Sequence, residues 1–387
     1  MPQIKTTITA LGLMSGTSMD GIDIALIKSD GNKIINRGLG KYYPYGTKIK
    51  NSLAKIINGP STSLLEIKQI ELEITQKHIE AVLNFLKENK IASKNIDVIG
   101  FHGQTILHHP KQKITWQIGN AQMLASAVGI DVVADFRTKD VVMGGQGAPL
   151  APVYHLALLQ KYQNLHWPLM VLNIGGVANV TYIENDNPEN LIAFDVCFGN
   201  APLNDLTKNK TGKDFDKDGI LAGNGKVDQK FVKEILALSY FKKQPPKSLD
   251  RNQFAKILQK FSKLKLEDAL ASLVFALGQS VANSFKFLPQ KPCEIIVCGG
   301  GRKNLAIMNN IKNATKIKTT NIDYLGEDLK FDGDLIEAEA FGFLAIRNLL
   351  NLPISYPKTT GILVEKRGSQ TSAQHRPSSC GGVFYRA

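Results

Sequence analysis

Cysteine is scarce in this chain. Cys197, Cys293, Cys298 and Cys380 are the only four among 387 residues, and no two stand at the CxxC spacing of a zinc site or in the dense pattern of a disulfide framework. The sequence therefore reads as a cytoplasmic protein of a reducing compartment. A charged leader followed by an unbroken apolar core is missing too, and no run approaches the ~20 apolar residues of a membrane span, so neither export nor a membrane partner is expected. Acidic residues are in deficit: 47 Lys plus Arg stand against 34 Asp plus Glu, a formal net charge of +13. The lysines form no long basic block and have no aromatic interleaving, so a general lysine-rich bias accounts for the charge and no nucleic-acid partner is expected. With 43% apolar and 21% charged residues the chain is globular, and its length calls for two hydrophobic cores.

What the sequence does have is dense polar turns set between short apolar runs. The first is LGLMSGTSMDGIDIAL, residues 11–26. Residues 8–13 and 22–27 read as two strands of a hairpin. Its turn offers hydroxyls from Ser15, Thr17 and Ser18, glycines at Gly16 and Gly21, and carboxylates at Asp20 and Asp23. That mixture suits phosphate and a metal ion, although an ordinary Gly/Ser hairpin turn would look the same. Gly16-Thr17-Ser18-Met19-Asp20 also misses the hydrolase nucleophile elbow by one position, and the strand-like run after it lacks the helix an elbow requires.

Further along, residues 63–90 carry apolar side chains at helical spacing, and 97–101 form a short strand running into FHGQTILHHP. Its histidines match no metal template, so a ligand-contacting loop at a strand end is the better reading, with His102 placed directly at that end. Another strand at 132–136 delivers Asp135 and Arg137, the latter suited to two-point recognition of a carboxylate or phosphate. The second half opens as the first does: an apolar run at 168–174, the turn Gly175-Gly176, then 177–183 with Asn179 embedded. Two such units suggest two similar halves that each present a phosphate-binding hairpin to a central cleft. Asp195 ends a strand, where a carboxylate serves as a base or a metal ligand. Asp214-x-Asp216-x-Asp218-Gly219 imitates a calcium loop, but Gly225 stands where its bidentate Glu is needed, so an EF-hand is rejected. Gly299-Gly300-Gly301 joins a strand to a helix, allowing close approach of a nucleoside or serving as a tight turn.

The motifs GLMSGTSMDGID, FHGQTI, WQIGN, DFR, GGQGAPL, NIGGVANVT, CGGGRKN and DLIEAEAF, in this order, resemble the anhydro-N-acetylmuramic acid kinases of the sugar kinase/Hsp70/actin superfamily. The resemblance covers the chain to about Gly361 and implies an α/β fold of two similar domains around a central ATP cleft. Residues 1–138 would form the N-terminal domain, with 346–387 available to pack back on it, and 139–345 the C-terminal domain. It implies an enzyme that uses ATP and Mg2+ on a small amino sugar, acting as a homodimer. Gly16, Thr17, Ser18, Met19, Asp20, Gly21, Ile22 and Asp23, then Gly175, Gly176 and Asn179, then Gly299, Gly300, Gly301 and Asn304 would contact ATP, with Asp20 as the metal ligand. Asp195 would be the catalytic base. His102, Gln104, Arg137 and Glu337 would line the sugar site.

The implied reaction is a coupled one. Water activated by Asp195 opens the 1,6 bridge of 1,6-anhydro-N-acetylmuramic acid, and the freed O6 takes the γ-phosphate of ATP, with closure of the domains excluding bulk water. Two places depart from the family pattern. Val196-Cys197-Phe198 stands where the family has Thr-Gly-Pro after the base, which implies a misaimed base and a slow enzyme. A polar insertion at 362–379 precedes the C-terminus and reads as a surface loop whose removal would change little. An actin-like or Hsp70-like ATPase would share the phosphate hairpins without needing the His102 and Arg137 stretches.

Overall fold

The computed structural model describes residues 7–16, 19–58, 62–162, 164–249, 259, 263–325, 332–363 and 381–387. Thr17, Ser18 and all but the first two residues of the 362–379 insertion lie outside them. The chain divides into two compact units, Met1–Lys161 with Leu335–Ala387, and Tyr162–Asp334.

In the first unit, β1 (Ile8–Ser15), β2 (Gly21–Ser29) and β3 (Ile34–Pro44) form an antiparallel meander. On the other side of β1, β4 (Val98–His109) runs parallel to it, and β6 (Val132–Ala134) runs parallel to β4. β5 (Ile114–Ile118) folds back on the outer half of β4, and a final strand, Val383–Tyr385, pairs antiparallel with β6. β1 is central and nearly all buried, which is why its sequence is a continuous apolar run rather than an alternating one. Leu11 and Leu13 face a cluster with Ile74, Val82 and Phe85 of the helix Leu64–Glu88. That single helix accounts for the 63–90 pattern. It starts on a capping box in which Glu66 N–H donates to Ser63 Oγ (3.2 Å) and Ser63 N–H to Glu66 Oε2 (2.9 Å).

The opposite face of β1 and β4 is covered by the helix Ile336–Leu349. Gly12 and Gly100 are register partners, and both must be glycine. A Cβ at Gly12 would lie 1.7 Å from Ala338 O, and one at Gly100 2.1 Å from Phe341 O, so the helix backbone rests directly on the strands. A second tie is a buried ion pair: Arg37 on β3 donates from Nε to Glu339 Oε1 (2.9 Å) and from Nη2 to Oε2 (2.8 Å), and the Tyr154 hydroxyl donates to the same carboxylate. These contacts carry the first unit through the helix Pro152–Leu159 to Lys161 and resume it at Leu335, whereas the sequence suggested divisions after 138 and 345. Glu339 and Arg37 are 3% and 6% exposed, so Glu339→Ala takes the Glu339 carboxylate away from a buried guanidinium. It is expected to lower stability by ~3–5 kcal/mol in denaturant unfolding; a loss below ~1 kcal/mol would mean that solvent or another acceptor takes over.

The second unit repeats the first. β7 (Leu169–Ile174), β8 (Val177–Ile183) and β9 (Ile192–Phe198) form the meander, β10 (Glu294–Cys298) runs parallel to β7, and β11 (Lys318–Asn321) parallel to β10. The order β11-β10-β7-β8-β9 matches β6-β4-β1-β2-β3 in position and sense. Two halves of one topology are therefore present, an α/β fold doubled along the chain. Its core is sealed by the helix Leu266–Ser284, apolar around most of its circumference. No helix among the described residues is long and apolar enough to cross a membrane.

Candidate active site

In the second unit the sheet register assembles a polar row. Asn173 on β7 lies opposite Asn179 on β8, which lies opposite Asp195 on β9. Directly opposed residues share a face, and these three are partly exposed while Leu172, Val180, Phe194 and Val196 beside them are buried. Asp195 is held at three points: its N–H donates to Lys247 O (3.0 Å), its carbonyl accepts from the Tyr240 hydroxyl (2.6 Å), and Oδ2 accepts from Leu249 N–H (2.7 Å). Burial pushes its carboxyl up to about 7, against the lowering effect of the Leu249 amide and the Lys247 ammonium. A carboxyl there is part ionised and part protonated at neutral pH, the range in which a general base is most effective.

The turn Gly175-Gly176 sits at the head of the same meander. Gly199 N–H donates to Gly176 O (2.9 Å), Asn200 N–H to Gly175 O (2.7 Å), and Asn200 Nδ2 to Ile174 O (3.0 Å). A Cβ at Gly175 or Gly176 would meet nothing nearer than 3.7 Å, and neither has a left-handed φ. Packing does not require glycine there, so the room it leaves suits a ligand approaching the backbone. The triple glycine divides differently. Gly299, with φ 72°, and Gly301 would each place a Cβ 2.3 Å from β7 residues, Asn173 and Ile174, whereas Gly300 has only Asn200 Nδ2 at 3.5 Å. Arg302, almost fully buried, locks this turn by donating to Gly299 O (3.1 Å), Asp323 (2.8 Å) and Asp334.

In the first unit the β1–β2 turn is closed by Met19 N–H on Gly16 O (3.1 Å) and anchored by Tyr45 N–H on Asp20 O (2.8 Å). Asp20 is exposed and Asp23 partly so; burial and then these two charges push the Tyr42 phenol up to about 12. Beneath the turn, the Tyr45 hydroxyl donates to Ser15 Oγ (3.0 Å), Ser15 bonds His78 Nε2 (2.8 Å), and His78 Nδ1 bonds Ile74 O (2.9 Å), a closed buried relay. Gln104 donates to Gly16 O (3.1 Å). His102 is buried, its Nδ1–H donating to Gly103 O (2.7 Å) while Nε2 accepts from Arg137 Nε (3.1 Å) and Nη2 (3.0 Å). Burial first, then Arg137, holds His102 well below its usual range, so it stays neutral. Arg137 Nη1 donates to Gly147 O (2.6 Å), and the Glu337 charge acts on the same guanidinium. His102, Arg137 and Glu337 thus form one cluster, while the Gln104 amide turns to the hairpin.

The family model described as anhydro-N-acetylmuramic acid kinase matches residues 8–369. A protein of that name from Zymomonas mobilis is 43% identical over 361 residues, covering 91% of this chain and 96% of its own. Another from Rhodopseudomonas palustris is 42% identical over 370 residues, covering 94% and 99%. The chain belongs to the anhydro-N-acetylmuramic acid kinase family.

For a member of the anhydro-N-acetylmuramic acid kinase family, two residues of the sequence reading have side chains engaged elsewhere. Ile22 is 1% exposed in the first core, which leaves only its backbone for a ligand. Asn304 caps the helix Leu305–Thr315 through Ile307 N–H (3.0 Å). Asp216, in the calcium-like run, caps the short helix Ile220–Asn224 through Leu221 and Ala222 N–H (2.9 and 3.0 Å). Two residues went unnoticed in the sequence, and a third, Asp140, stood out only as a neighbour of Asp135 and Arg137. Asn173 is visible only through register. Lys247 looked like one lysine among many. Asp140 accepts from Gly147 N–H (2.7 Å), Ser355 Oγ (2.6 Å) and Thr360 Oγ1 (2.6 Å), fixing the loop that receives Arg137; only its place in the Asp135–Arg137–Asp140 cluster hinted at it.

Proposed function

We propose that this protein is an ATP-dependent kinase that opens 1,6-anhydro-N-acetylmuramic acid with water and phosphorylates O6, giving N-acetylmuramic acid 6-phosphate, as a cytoplasmic homodimer in peptidoglycan recycling. Family membership over nearly the whole chain supports the reaction. The observation that carries the chemistry is Asp195, a strand-held carboxyl raised to about 7. Asp195 takes a proton from water as its oxygen bonds to the anomeric carbon. The bond from that carbon to the bridging oxygen breaks, and the released O6 attacks the γ-phosphorus of ATP, expelling ADP. Arg137 has three of its N–H donors engaged by His102 and Gly147; the two that remain suit the sugar's carboxylate, with neutral His102 steadying the guanidinium and exposed Glu337 accepting from hydroxyls.

The β1–β2 turn and Gly175-Gly176 are proposed to bind the ATP phosphates, with Gly300 beside the nucleoside. Mg2+ carried by ATP needs one or two protein carboxylates besides the phosphates, and exposed Asp20 at the turn fits that requirement; the ion would spread the charge of the transferring phosphoryl group. ADP release measured with and without 1,6-anhydro-N-acetylmuramic acid tests the reading. Release is expected to depend on the sugar. Equal turnover without it would identify an actin-like ATPase instead.

A further inference from the structure

Residues 240–249 touch Asp195 at both backbone groups and at one carboxylate oxygen, through Tyr240, Lys247 and Leu249. Lys247 is 8% exposed. Its ammonium lies 4.4 Å from the ring centroid of Phe287, 4.8 Å from that of Tyr240 and 5.6 Å from that of Phe194, the residue preceding Asp195, and it donates to Tyr240 O (3.4 Å). A cation enclosed by three rings is held by their quadrupoles and by packing of its stem. We propose that residues 240–249 form a strap that aims the proposed base, and that Lys247, pinned among Phe194, Tyr240 and Phe287, is its positioning residue.

The geometry gives the strap two effects. Lys247 O receives the Asp195 amide, and two residues later the Leu249 amide reaches Oδ2, so the Lys247 anchor fixes where that donor falls. One lone pair of Oδ2 is thereby taken by the Leu249 amide. The second effect is electrostatic. The groups acting on Asp195 are Lys247 and the Leu249 amide, with Tyr240 and Cys197 close by; those acting on Lys247 are Lys286, Lys243 and Asp195. Burial, then Lys286 and Lys243, lowers the Lys247 ammonium to about 8, so it remains mostly charged at neutral pH and favours the ionised carboxylate.

This inference rests on Asp195 being the base, and Asp195→Asn separates the two: turnover surviving in that variant defeats both. With Asp195 established, the acid limb of kcat/KM for the anhydro sugar is compared in wild type, Lys247→Met and Lys247→Arg, each checked by circular dichroism. Met keeps the stem and drops the charge. It is expected to move the limb upward by about one pH unit, a roughly tenfold loss on the acid side that closes above the limb, while KM for ATP is unchanged and Arg restores the midpoint. An unmoved midpoint, or a loss equal at every pH, overturns the assignment. Should the Met variant not fold, Tyr240→Phe removes only the hydroxyl on Asp195 O; kcat is expected to fall with KM for ATP constant, and an unchanged kcat overturns the strap.

Discussion

Replacing Asp195 with asparagine should lower turnover by ~10²–10⁴-fold, the usual contribution of a positioned general base, while ATP binding survives. The substitution is nearly isosteric, and an asparagine oxygen can still accept from Leu249 N–H, so the strand and strap stay in place. What disappears is the group proposed to take the proton. In the wild type kcat/KM should rise as pH increases through about 7, because only the ionised carboxylate accepts a proton. The same shift acts on stability with the opposite sign. A folded-state pKa above the unfolded value means that the native protein holds this proton more tightly, so the stabilisation is complete below the unfolded pKa of about 4 and is lost as pH rises through about 7. Asp195→Asn should therefore be at least as stable as wild type at pH 8. Steady-state kinetics across this range, calorimetric titration with ATP and thermal melts at two pH values check each part. Wild-type turnover in the variant would remove Asp195 from the mechanism.

The triple change Val196→Thr, Cys197→Gly, Phe198→Pro should destabilise the protein and lower kcat/KM. In sequence these residues looked like a defect in the turn after the base. In the structure β9 continues through them, Cys197 pairing with Ala178 and Phe198 with Val177, and their side chains are 2%, 0% and 3% exposed in the second core. Phe198 has its pocket inside the fold, and burial pushes the Cys197 thiol up to about 12, so it is an inert packing group. Losing the phenylalanine ring alone leaves a cavity worth ~3–5 kcal/mol, and proline cannot donate to a strand ladder. Denaturant unfolding gives the stability and a sugar-dependent assay the rate. A triple variant of undiminished stability and raised kcat/KM would restore the view that these side chains impair the base.

The two glycine turns and the doubled architecture were legible because each rests on local signals: small and polar residues between apolar runs, occurring once in each half. Asp195 and His102 were read at strand ends but lie inside β9 and β4, and the pairing of His102 with Arg137 emerges only in the structure. Legibility failed where a residue's environment comes from distant chain. Nothing near Asn173 in sequence says that register will align it with Asp195. Lys247 is one of many lysines until three rings surround it. Ile22 and Asn304 lie within motifs that suggest a ligand, yet one packs into a core and the other caps a helix, since a motif marks a segment and not the direction of each side chain. The division between units was displaced for the same reason: the glycines at 12 and 100 give no sign of what will lie on them.

That seat on Gly12 and Gly100 also sets an order in time. Its occupant, the helix Ile336–Leu349, is separated from β1 by almost the whole chain, and the entire second unit lies between them. During synthesis the second unit, one continuous stretch, is made in full before the helix that finishes the first. The half begun first is thus completed last, and until then the nascent chain carries one apolar face of its N-terminal sheet bare, the kind of surface on which chaperones act and incomplete chains aggregate.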